Sequence, residues 1–196
     1  MDAQLIRKLN HLNTQFYNTV ASDFDASRQH FWPGWNKIPP LLEQTLRIDH
    51  PLHARILDLG CGNGRFGQFL HEKCPHLTLS YTGIDANAQL LQAAEAALEG
   101  KIPALHLHQL DIIEALLTNL DFLENQKFQL IGSFGVFHHI PSFELRLSLL
   151  KYLLSKLEKN GVVVISFWQF MKFERFQKKV VPTEDTLEKN DYILDW

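Results

Sequence analysis

The chain has 196 residues, of which 45% are hydrophobic and 21% are charged, a balance typical of a packed soluble protein and not of a disordered one. Its formal net charge of −3 excludes a generally basic surface and leaves nucleic-acid binding to a local patch. The two cysteines have no zinc-binding spacing, no apolar run approaches the ~18 residues of a membrane span, and no signal peptide opens the sequence, so we expect a cytoplasmic protein without a structural metal.

Residues 1–50 predict an N-terminal helical and aromatic cap. Apolar residues at three- and four-residue spacing predict an amphipathic helix from residue 3 to about residue 20. The next twenty residues hold four aromatic side chains among turn-forming residues and predict an irregular segment. Two consecutive prolines at its end predict the start of a short helix that runs through Arg47.

Residues 51–196 predict one domain in which strands alternate with helices. We expect strands at 55–59, 77–85, 103–108, 128–134 and 161–168, and helices at 63–73, 88–98, 112–120 and 143–157. This alternation is typical of an α/β fold with a mostly parallel central sheet and helices on both faces. The tail from residue 169 holds a candidate short helix and a candidate last strand at 192–196.

A glycine-rich turn follows the first predicted strand, in the sequence ILDLGCGNGRFG at 56–67. Glycines let the backbone approach a ligand closely, and the next helix begins with unpaired N–H groups, so we expect a nucleotide-type cofactor here. Gly62, Gly64 and Gly67 also satisfy the pattern of dinucleotide enzymes, with Asp85 about 20 residues further on for a ribose. The turn alone does not choose between the two cofactor classes.

Three neighbouring features favour S-adenosylmethionine over a dinucleotide. Asp58 precedes Gly60 in a D-x-G-x-G pattern, and a second acid, Asp111, follows the third predicted strand in position to accept from an adenine amino group. The fourth strand ends in Phe134 before the sequence GVFHHI, at the sheet edge where such folds bind ligands. Together these features resemble the class I S-adenosylmethionine-dependent methyltransferases over roughly residues 55–168, which implies a Rossmann-like fold.

The resemblance implies which residues bind the cofactor. Asp85 would take the two ribose hydroxyls, Asp111 with the Ile112 amide would hold the adenine, and the glycines and the Phe134 backbone would face the methionine part. An alternative for Asp85 is the N-cap of the following helix. The full cofactor-binding set is Asp58, Gly60, Cys61, Gly62, Gly64, Asp85, Ala86, Asp111, Ile112 and Phe134.

Methyl transfer from a sulfonium is an in-line displacement, so the protein must mainly align donor and acceptor and exclude water. A carboxylate acceptor, with a pKa of about 4, is already ionised at neutral pH and needs orienting groups but no general base. The candidates for this catalytic role are Arg28, His138 and His139. Arg28 is equally suited to a surface ion pair with a neighbouring aspartate, and the histidines to a helix N-terminus before Pro141.

Four flanking segments carry a more specific resemblance. They are NTQFYNTVASDFDASRQHFWPGW at 13–35, FHHIP at 137–141, SFWQ at 166–169 and NDYILDW at 190–196. They resemble the tRNA wobble-uridine carboxymethyl methyltransferases, a family that esterifies a carboxymethyl group on tRNA, and so imply tRNA as the substrate partner. Four basic residues would then contact phosphates, although a solvated helix face accounts for them equally well: Lys172, Arg175, Lys178 and Lys179.

The sequence departs from that family near its end. Class I methyltransferases usually have seven strands, whereas this chain shows five, and the C-terminal antiparallel strands are missing or incomplete. Residues 162–167 would then form an apolar, unpaired edge, which soluble proteins normally avoid. We expect a truncated or divergent member whose edge is covered by a protein partner, a second copy or the tail. Two other functions stay open: a methyltransferase for a small carboxylate or hydroxyl metabolite, and a non-catalytic cofactor-binding module.

Overall fold

A parallel sheet of five strands forms the centre of the structure, a computed structural model that describes residues 1–27, 30–46 and 53–195. The strand order is β3-β2-β1-β4-β5, and every neighbouring pair is parallel. The strands are β1 (His53–Leu59), β2 (Thr78–Asp85), β3 (Ala104–Gln109), β4 (Phe128–Phe134) and β5 (Leu157–Ser166). The predicted Rossmann-like α/β fold is therefore confirmed.

Helices cover both faces of the sheet. They are α1 (Ala3–Ser27), α2 (Ile38–Leu46), α3 (Arg65–Lys73), α4 (Ala88–Leu98), α5 (Ile112–Leu117), α6 (Phe143–Ser155) and α7 (Glu174–Gln177). Because side chains alternate along a strand, Ile56 packs with α2, α3 and α4 in one core, whereas Leu57 packs with α5 and α6 in the other. No helix in the described ranges is long and apolar enough to cross a membrane.

The cap is more regular than predicted. Helix α1 continues to Ser27, a 3₁₀ helix spans Pro33–Lys37, and α2 begins at Ile38. The prolines at 39 and 40 lie in the first turn of α2, where a backbone N–H has no intrahelical partner to lose. Trp35 and residues of α2 are buried in the same core as β1, so cap and sheet pack together. The predicted helix end at Arg47 lies outside the described residues, and the boundary at residue 50 stays a prediction.

The connection from α6 to β5 also differs from the prediction. Helix α6 ends at Ser155, and β5 begins two residues later, well before the predicted strand start at residue 161. The β4–β5 register shifts between Phe128 and Leu130, and Asn160 within β5 has a φ of 65°. Asn160 and Gly161 therefore belong to an irregularity inside the strand, although asparagine and glycine are also typical of helix ends.

Strand β5 lies at the edge of the sheet, hydrogen-bonded to β4 alone. The tail does not extend the sheet: in its described residues one isolated antiparallel bridge joins Val180 to Leu194. The candidate strand at 192–196 is thus reduced to this bridge, and Trp196 lies outside the described residues. The described tail adds no strand to the β5 edge, and coverage of that edge by a partner, a second copy or the tail stays a prediction.

Gly64 and Gly100 form a matched pair for testing how tightly the glycine turn packs. Both have a φ of 73°, but a Cβ on Gly64 would meet Leu98 Cδ1 at 2.9 Å and Ala94 Cα at 3.1 Å, whereas one on Gly100 would meet nothing within 4 Å. Both alanine variants incur left-handed strain of about 1–2 kcal/mol. We expect Gly64→Ala to lower the free energy of unfolding by about 1–3 kcal/mol more than Gly100→Ala, because it also overpacks the core. Urea unfolding measures this, and equal losses would contradict it.

Candidate active site

The glycine turn between β1 and α3 is fixed against the end of β2. Gly60, Gly62 and Gly64 have φ values of 73°, 53° and 73°, a conformation that glycine adopts without a steric penalty. The N–H of Gly60 donates to the Ile84 carbonyl at 2.7 Å. The N–H of Gly62 donates to Asp85 Oδ2 at 2.9 Å. The glycine turn and Asp85 at the end of β2 therefore hold each other in position.

Asp58, near the end of β1, is buried beneath this turn. Its side chain accepts a hydrogen bond from the Tyr81 hydroxyl at 2.5 Å, and the residue is 2% exposed. Burial raises the pKa of Asp58 to about 7, although the Tyr81 hydrogen bond acts in the opposite direction. Its charge at neutral pH is therefore sensitive to any charged group that binds above it.

Asp85, at the end of β2, uses both carboxylate oxygens within the protein. Besides Gly62, the Asn87 N–H donates to it, at 2.9 Å from Oδ1. Asn87 in turn caps α4 by accepting from Leu90 N–H at 3.0 Å, so the alternative interpretation of Asp85 as that N-cap is wrong. Burial raises the pKa of Asp85. Each carboxylate oxygen has further lone pairs, so the acid retains the capacity to accept from ribose hydroxyls.

Asp111 joins two helices. Its Oδ1 caps α5 by accepting from the Ile113 and Glu114 N–H groups at 2.9 and 3.1 Å. Its Oδ2 accepts from Asn10 Nδ2 of α1 at 2.7 Å. The capping role was not anticipated from the sequence, and it places the acid beside the N-terminus of α5, where Ile112 begins the helix. The adenine role of Asp111 stays a prediction.

Two adjoining cavities open at the carboxyl ends of the strands. The smaller, about 170 Å³, is lined by Asp85, Ala86, Asp111 and Ile112 and is covered by α1. The larger, about 1150 Å³, includes Asp58 and Cys61 in its lining. Gly60, Gly62 and Phe134 line both. Of the predicted cofactor-binding residues, Gly64 alone lines neither, because it faces α4 instead.

The residues of these cavities fit S-adenosylmethionine. The smaller cavity offers two carboxylates to a nucleoside, and the larger one places Asp58 near the glycine backbone, where an amino-acid end with a positive charge would lie. Gly60 and Gly62 line both cavities, so glycine backbone lies where the two adjoin, and a Cβ on Gly60 would collide with the Val136 side chain. An elongated ligand can therefore pass along Gly60 and occupy both cavities.

His138 and His139 lie in a 3₁₀ helix, Phe137–His139, that follows β4. They precede the N-terminus of α6 by several residues, so the alternative that they belong to it is wrong. Burial lowers the pKa of His138 to about 4 and that of His139 to about 3, so both are neutral at pH 7. They can therefore orient an acceptor by hydrogen bonds but not by charge. Arg28, the third catalytic candidate, lies outside the described residues.

The two histidines differ in their partners. His139 Nε2 is 2.8 Å from the Tyr17 hydroxyl of α1, and its carbonyl accepts from Asn13 Nδ2 at 3.0 Å. His138 Nδ1 is buried and has no hydrogen-bond partner among the described residues, although the residue lines the larger cavity. Such an atom is costly to bury without a partner, so His138 is suited to a polar group of a ligand.

Sequence reasoning missed two walls of the larger cavity. Arg65 directly follows the glycine turn, and its guanidinium lies 5.4 and 5.2 Å from the ring centres of Trp32 and Trp35. The tail forms the second wall, with residues from Leu187 to Asp195. The position of Arg65 beside the turn was the available signal, and the tail carried a family resemblance but no assigned role.

The four basic tail residues do not act together at the cavity. Arg175 lines it and stacks on Phe176, with 4.6 Å between the guanidinium carbon and the ring centre. Lys178 forms an ion pair with Glu174 at 2.7 Å. In the described part of the chain, Lys172, Lys178 and Lys179 are exposed and lie outside the cavity lining.

Comparisons with known sequences identify the domain. A protein-family model described as a methyltransferase domain matches residues 56–161. Trans-aconitate 2-methyltransferase from Acidovorax sp. (strain JS42) is 32% identical over 98 residues, which cover 50% of this chain and 37% of that protein. The tRNA (carboxymethyluridine(34)-5-O)-methyltransferase of Saccharomyces cerevisiae (strain ATCC 204508 / S288c) is 27% identical over 152 residues, covering 78% of this chain and 46% of that protein. The chain thus spans less than half the length of these relatives.

Solved structures share the fold. The plantazolicin methyltransferase BpumL, solved with a pentazolic desmethylPZN analog and SAH, gives a TM-score of 0.52 at 20% identity, covering 84% of this chain and 61% of that one. The bifunctional kinase-methyltransferase WbdD gives a TM-score of 0.56 at 22% identity, covering 74% and 31%. At these identities the likeness concerns the fold alone.

Asp58 provides a pH test of the buried acid. Its pKa is about 7 in the folded chain and near the ordinary value of ~3.9 when unfolded, so between these values the folded chain binds more protons. The contribution of Asp58 to the free energy of unfolding should therefore fall as the pH rises from 4 to 7, whereas His138 and His139, whose pKa values burial lowers, contribute the opposite slope. Asp58→Asn removes this contribution while keeping an oxygen that accepts from Tyr81, so the free energy of unfolding of the wild type relative to this variant should fall over the same pH range. Urea unfolding across this range measures both profiles, and parallel curves would refute the assignment.

Proposed function

Because this chain belongs to the methyltransferase domain family, we propose that it binds S-adenosylmethionine across the two cavities and transfers the methyl group to a carboxylate. The observation that carries the proposal is the division of polar groups between the cavities. Carboxylates lie where the nucleoside and the cationic centre would bind, whereas the rest of the larger cavity is lined by three arginines and two aspartates, one of which, Asp191, is paired with Arg146. This arrangement suits a cationic donor and an anionic acceptor.

The cofactor roles follow the predicted set. Asp85 would accept from the ribose hydroxyls through its remaining lone pairs. Asp111 and the Ile112 N–H, which begins α5 and has no intrahelical partner, would bind the adenine edge. The glycine backbone and Phe134 would flank the amino-acid end. Asp58 lies beneath this end, and a positive group there would lower its pKa back toward the ionised form.

The chemistry requires alignment more than proton transfer. When bound, the cofactor supplies a methyl group on a sulfonium, which an ionised carboxylate attacks in line without a base. The neutral His138 would donate one hydrogen bond to the acceptor carboxylate, and Arg65 in the same cavity wall would contribute positive charge. The aromatic lining, including Trp32 and Trp168, excludes water from the reacting atoms. Arg28 remains a further proposed orienting group.

We propose carboxymethyluridine at the tRNA wobble position as the acceptor. The support is the yeast relative, whose name gives this substrate and whose match covers 78% of the chain. The exposed Phe173, beside the basic residues of the tail, is also suited to contact with nucleic acid. A second candidate is a small carboxylate, because the other relative is named for trans-aconitate and the chain as a whole is negatively charged.

Cofactor binding is tested at Asp85. Asp85→Asn replaces one acceptor oxygen with a donor, which opposes both the Gly62 N–H and a ribose hydroxyl, so we expect affinity for S-adenosylmethionine to fall about tenfold or more. Isothermal titration calorimetry measures this. Glu99→Gln, an exposed acid outside both cavities, is the matched control and should bind as the wild type does. Unchanged affinity in Asp85→Asn, or binding of NAD in its place, would refute the assignment.

Acceptor class is tested by transfer of a labelled methyl group. We expect label to enter total tRNA that lacks the wobble ester, and we expect His138→Ala to lower kcat/KM by about 10–100-fold, because it removes a hydrogen bond to a charged group. Cofactor affinity of that variant should fall less than kcat/KM does, since His138 lies outside the smaller cavity, where the nucleoside would bind.

Two other results of that assay would replace the tRNA proposal. Label entering small carboxylates but not tRNA would select the second candidate. Cofactor binding without transfer to either acceptor would leave a non-catalytic binding module.

A further inference from the structure

The tail returns to the carboxyl end of the sheet as a closed loop. The tail loop, residues 181–193, is closed at its base by the Val180–Leu194 bridge, where Val181 N–H donates to the Ile193 carbonyl at 2.9 Å. Its second half lines the larger cavity but not the smaller. The tail loop is therefore a wall of the acceptor side and not of the nucleoside side.

Two carboxylates of the tail loop cap helix α6. Ser142, at the N-cap position, has a φ of 70° and makes no capping bond with its own side chain. Asp191 Oδ2 accepts from Ser142 N–H at 3.2 Å, and Glu188 Oε2 accepts from Phe143 N–H at 2.7 Å. The second bond is the main reason that the pKa of Glu188 falls to about 2. The tail loop thus supplies the cap that the local sequence of α6 lacks.

Arg146 connects the tail loop to the 3₁₀ helix Phe137–His139, which we call the histidine turn. Its Nη1 donates to Asp191 Oδ1 at 3.0 Å and to the Ile140 carbonyl at 2.7 Å, and Ile140 directly follows His139. The side chains of Arg146 and Asp191 are 25% and 13% exposed, so this pair is better shielded than a surface ion pair. Asp191 is therefore bonded both to the start of α6 and, through Arg146, to the end of the histidine turn.

We infer that Asp191 is a positioning residue for the methyl acceptor, which holds the tail loop as a cavity wall and fixes the turn of His138 and His139. The inference rests on the proposed function in taking the larger cavity as the acceptor site. It assigns the main effect of Asp191 to acceptor binding, because Asp191 and Arg146 line the larger cavity and not the smaller, whereas Ile140 at the end of their contacts lines both.

The test makes the same change, aspartate to asparagine, at two positions of the tail loop. Asp191→Asn weakens the link to Arg146, whereas Asp185→Asn removes the ion pair with Lys8 of α1, which is 2.7 Å long and lies away from both cavities. We expect Asp191→Asn to shift the imidazole NMR signals of His138 and His139 and to raise the acceptor KM about tenfold, with kcat and the cofactor Kd within about twofold of wild type. Asp185→Asn should leave all four quantities unchanged.

A second variant guards against loss of folding. Arg146→Lys keeps the positive charge but cannot reproduce the two bonds of one guanidinium group, so it should shift the same histidine signals. Thermal unfolding monitors both variants.

The histidine signals are read without any acceptor, which separates this inference from the proposed function. Unchanged signals in both Asp191→Asn and Arg146→Lys, or equal shifts in Asp185→Asn, would overturn the inference. An unchanged KM in Asp191→Asn, or a weakened cofactor Kd, would also overturn it. Shifted signals in a protein that methylates no carboxylate would support the positioning role and refute the proposed acceptor class.

Discussion

The left-handed backbone of the glycine turn is the constraint on which the site depends. Positive φ at Gly60 and Gly62 turns the chain after β1 so that the N–H groups of residues 60 and 61 donate to the Ile84 carbonyl and that of Gly62 donates to Asp85. A side chain at Gly60 would collide with Val136, which begins the segment that carries the histidines. One turn thus determines the relative positions of the ends of β1, β2 and β4. A residue with a Cβ at position 60 would therefore meet the Val136 side chain and also incur left-handed backbone strain.

Burial, more than ion pairing, determines the charges at the site. It raises the pKa of Asp58 and Asp85 and lowers that of both histidines, so every one of these groups is pushed toward its neutral form. A site of this kind is poorly solvated before its ligands bind. A cationic donor would restore the carboxylate charges, and an anionic acceptor would meet the neutral histidines and a lining of three arginines and two aspartates. The charge of these buried acids and histidines thus depends on the bound ligand. The aromatic walls can therefore exclude water without leaving one of these groups buried as an unpaired charge.

The sequence predicted the elements whose signals are local. Helix α4 and strand β4 have their predicted ends, because an apolar run defines β4 and the Asn87 cap defines the start of α4. The length of α1 was not predictable, because its polar residues are paired with distant partners such as Asp111 and His139. The tail was misread for the same reason: Asp191 and Glu188 cap a helix about 45 residues away. In the site, the motifs assigned roles to the acids and glycines, whereas Arg65 and the tail loop lay in or beside motifs without an assigned role.

The walls of the cavities are held differently from the sheet beneath them. Among the side chains of α1 that the structure describes, only Ile6 is buried, and the helix is attached mainly by hydrogen bonds from residues such as Asn10, Asn13 and Tyr17. The tail loop is attached in the same way, by carboxylates. Each neutral bond of this kind contributes only about 0.5–1.5 kcal/mol net, and each bond to a carboxylate about 1.5–3 kcal/mol, because water replaces it when it opens. The sheet, in contrast, is buried on both faces. A ligand enclosed beneath α1 can therefore enter or leave when these polar contacts open and water replaces them. The glycine turn and the strand ends keep their geometry during this opening.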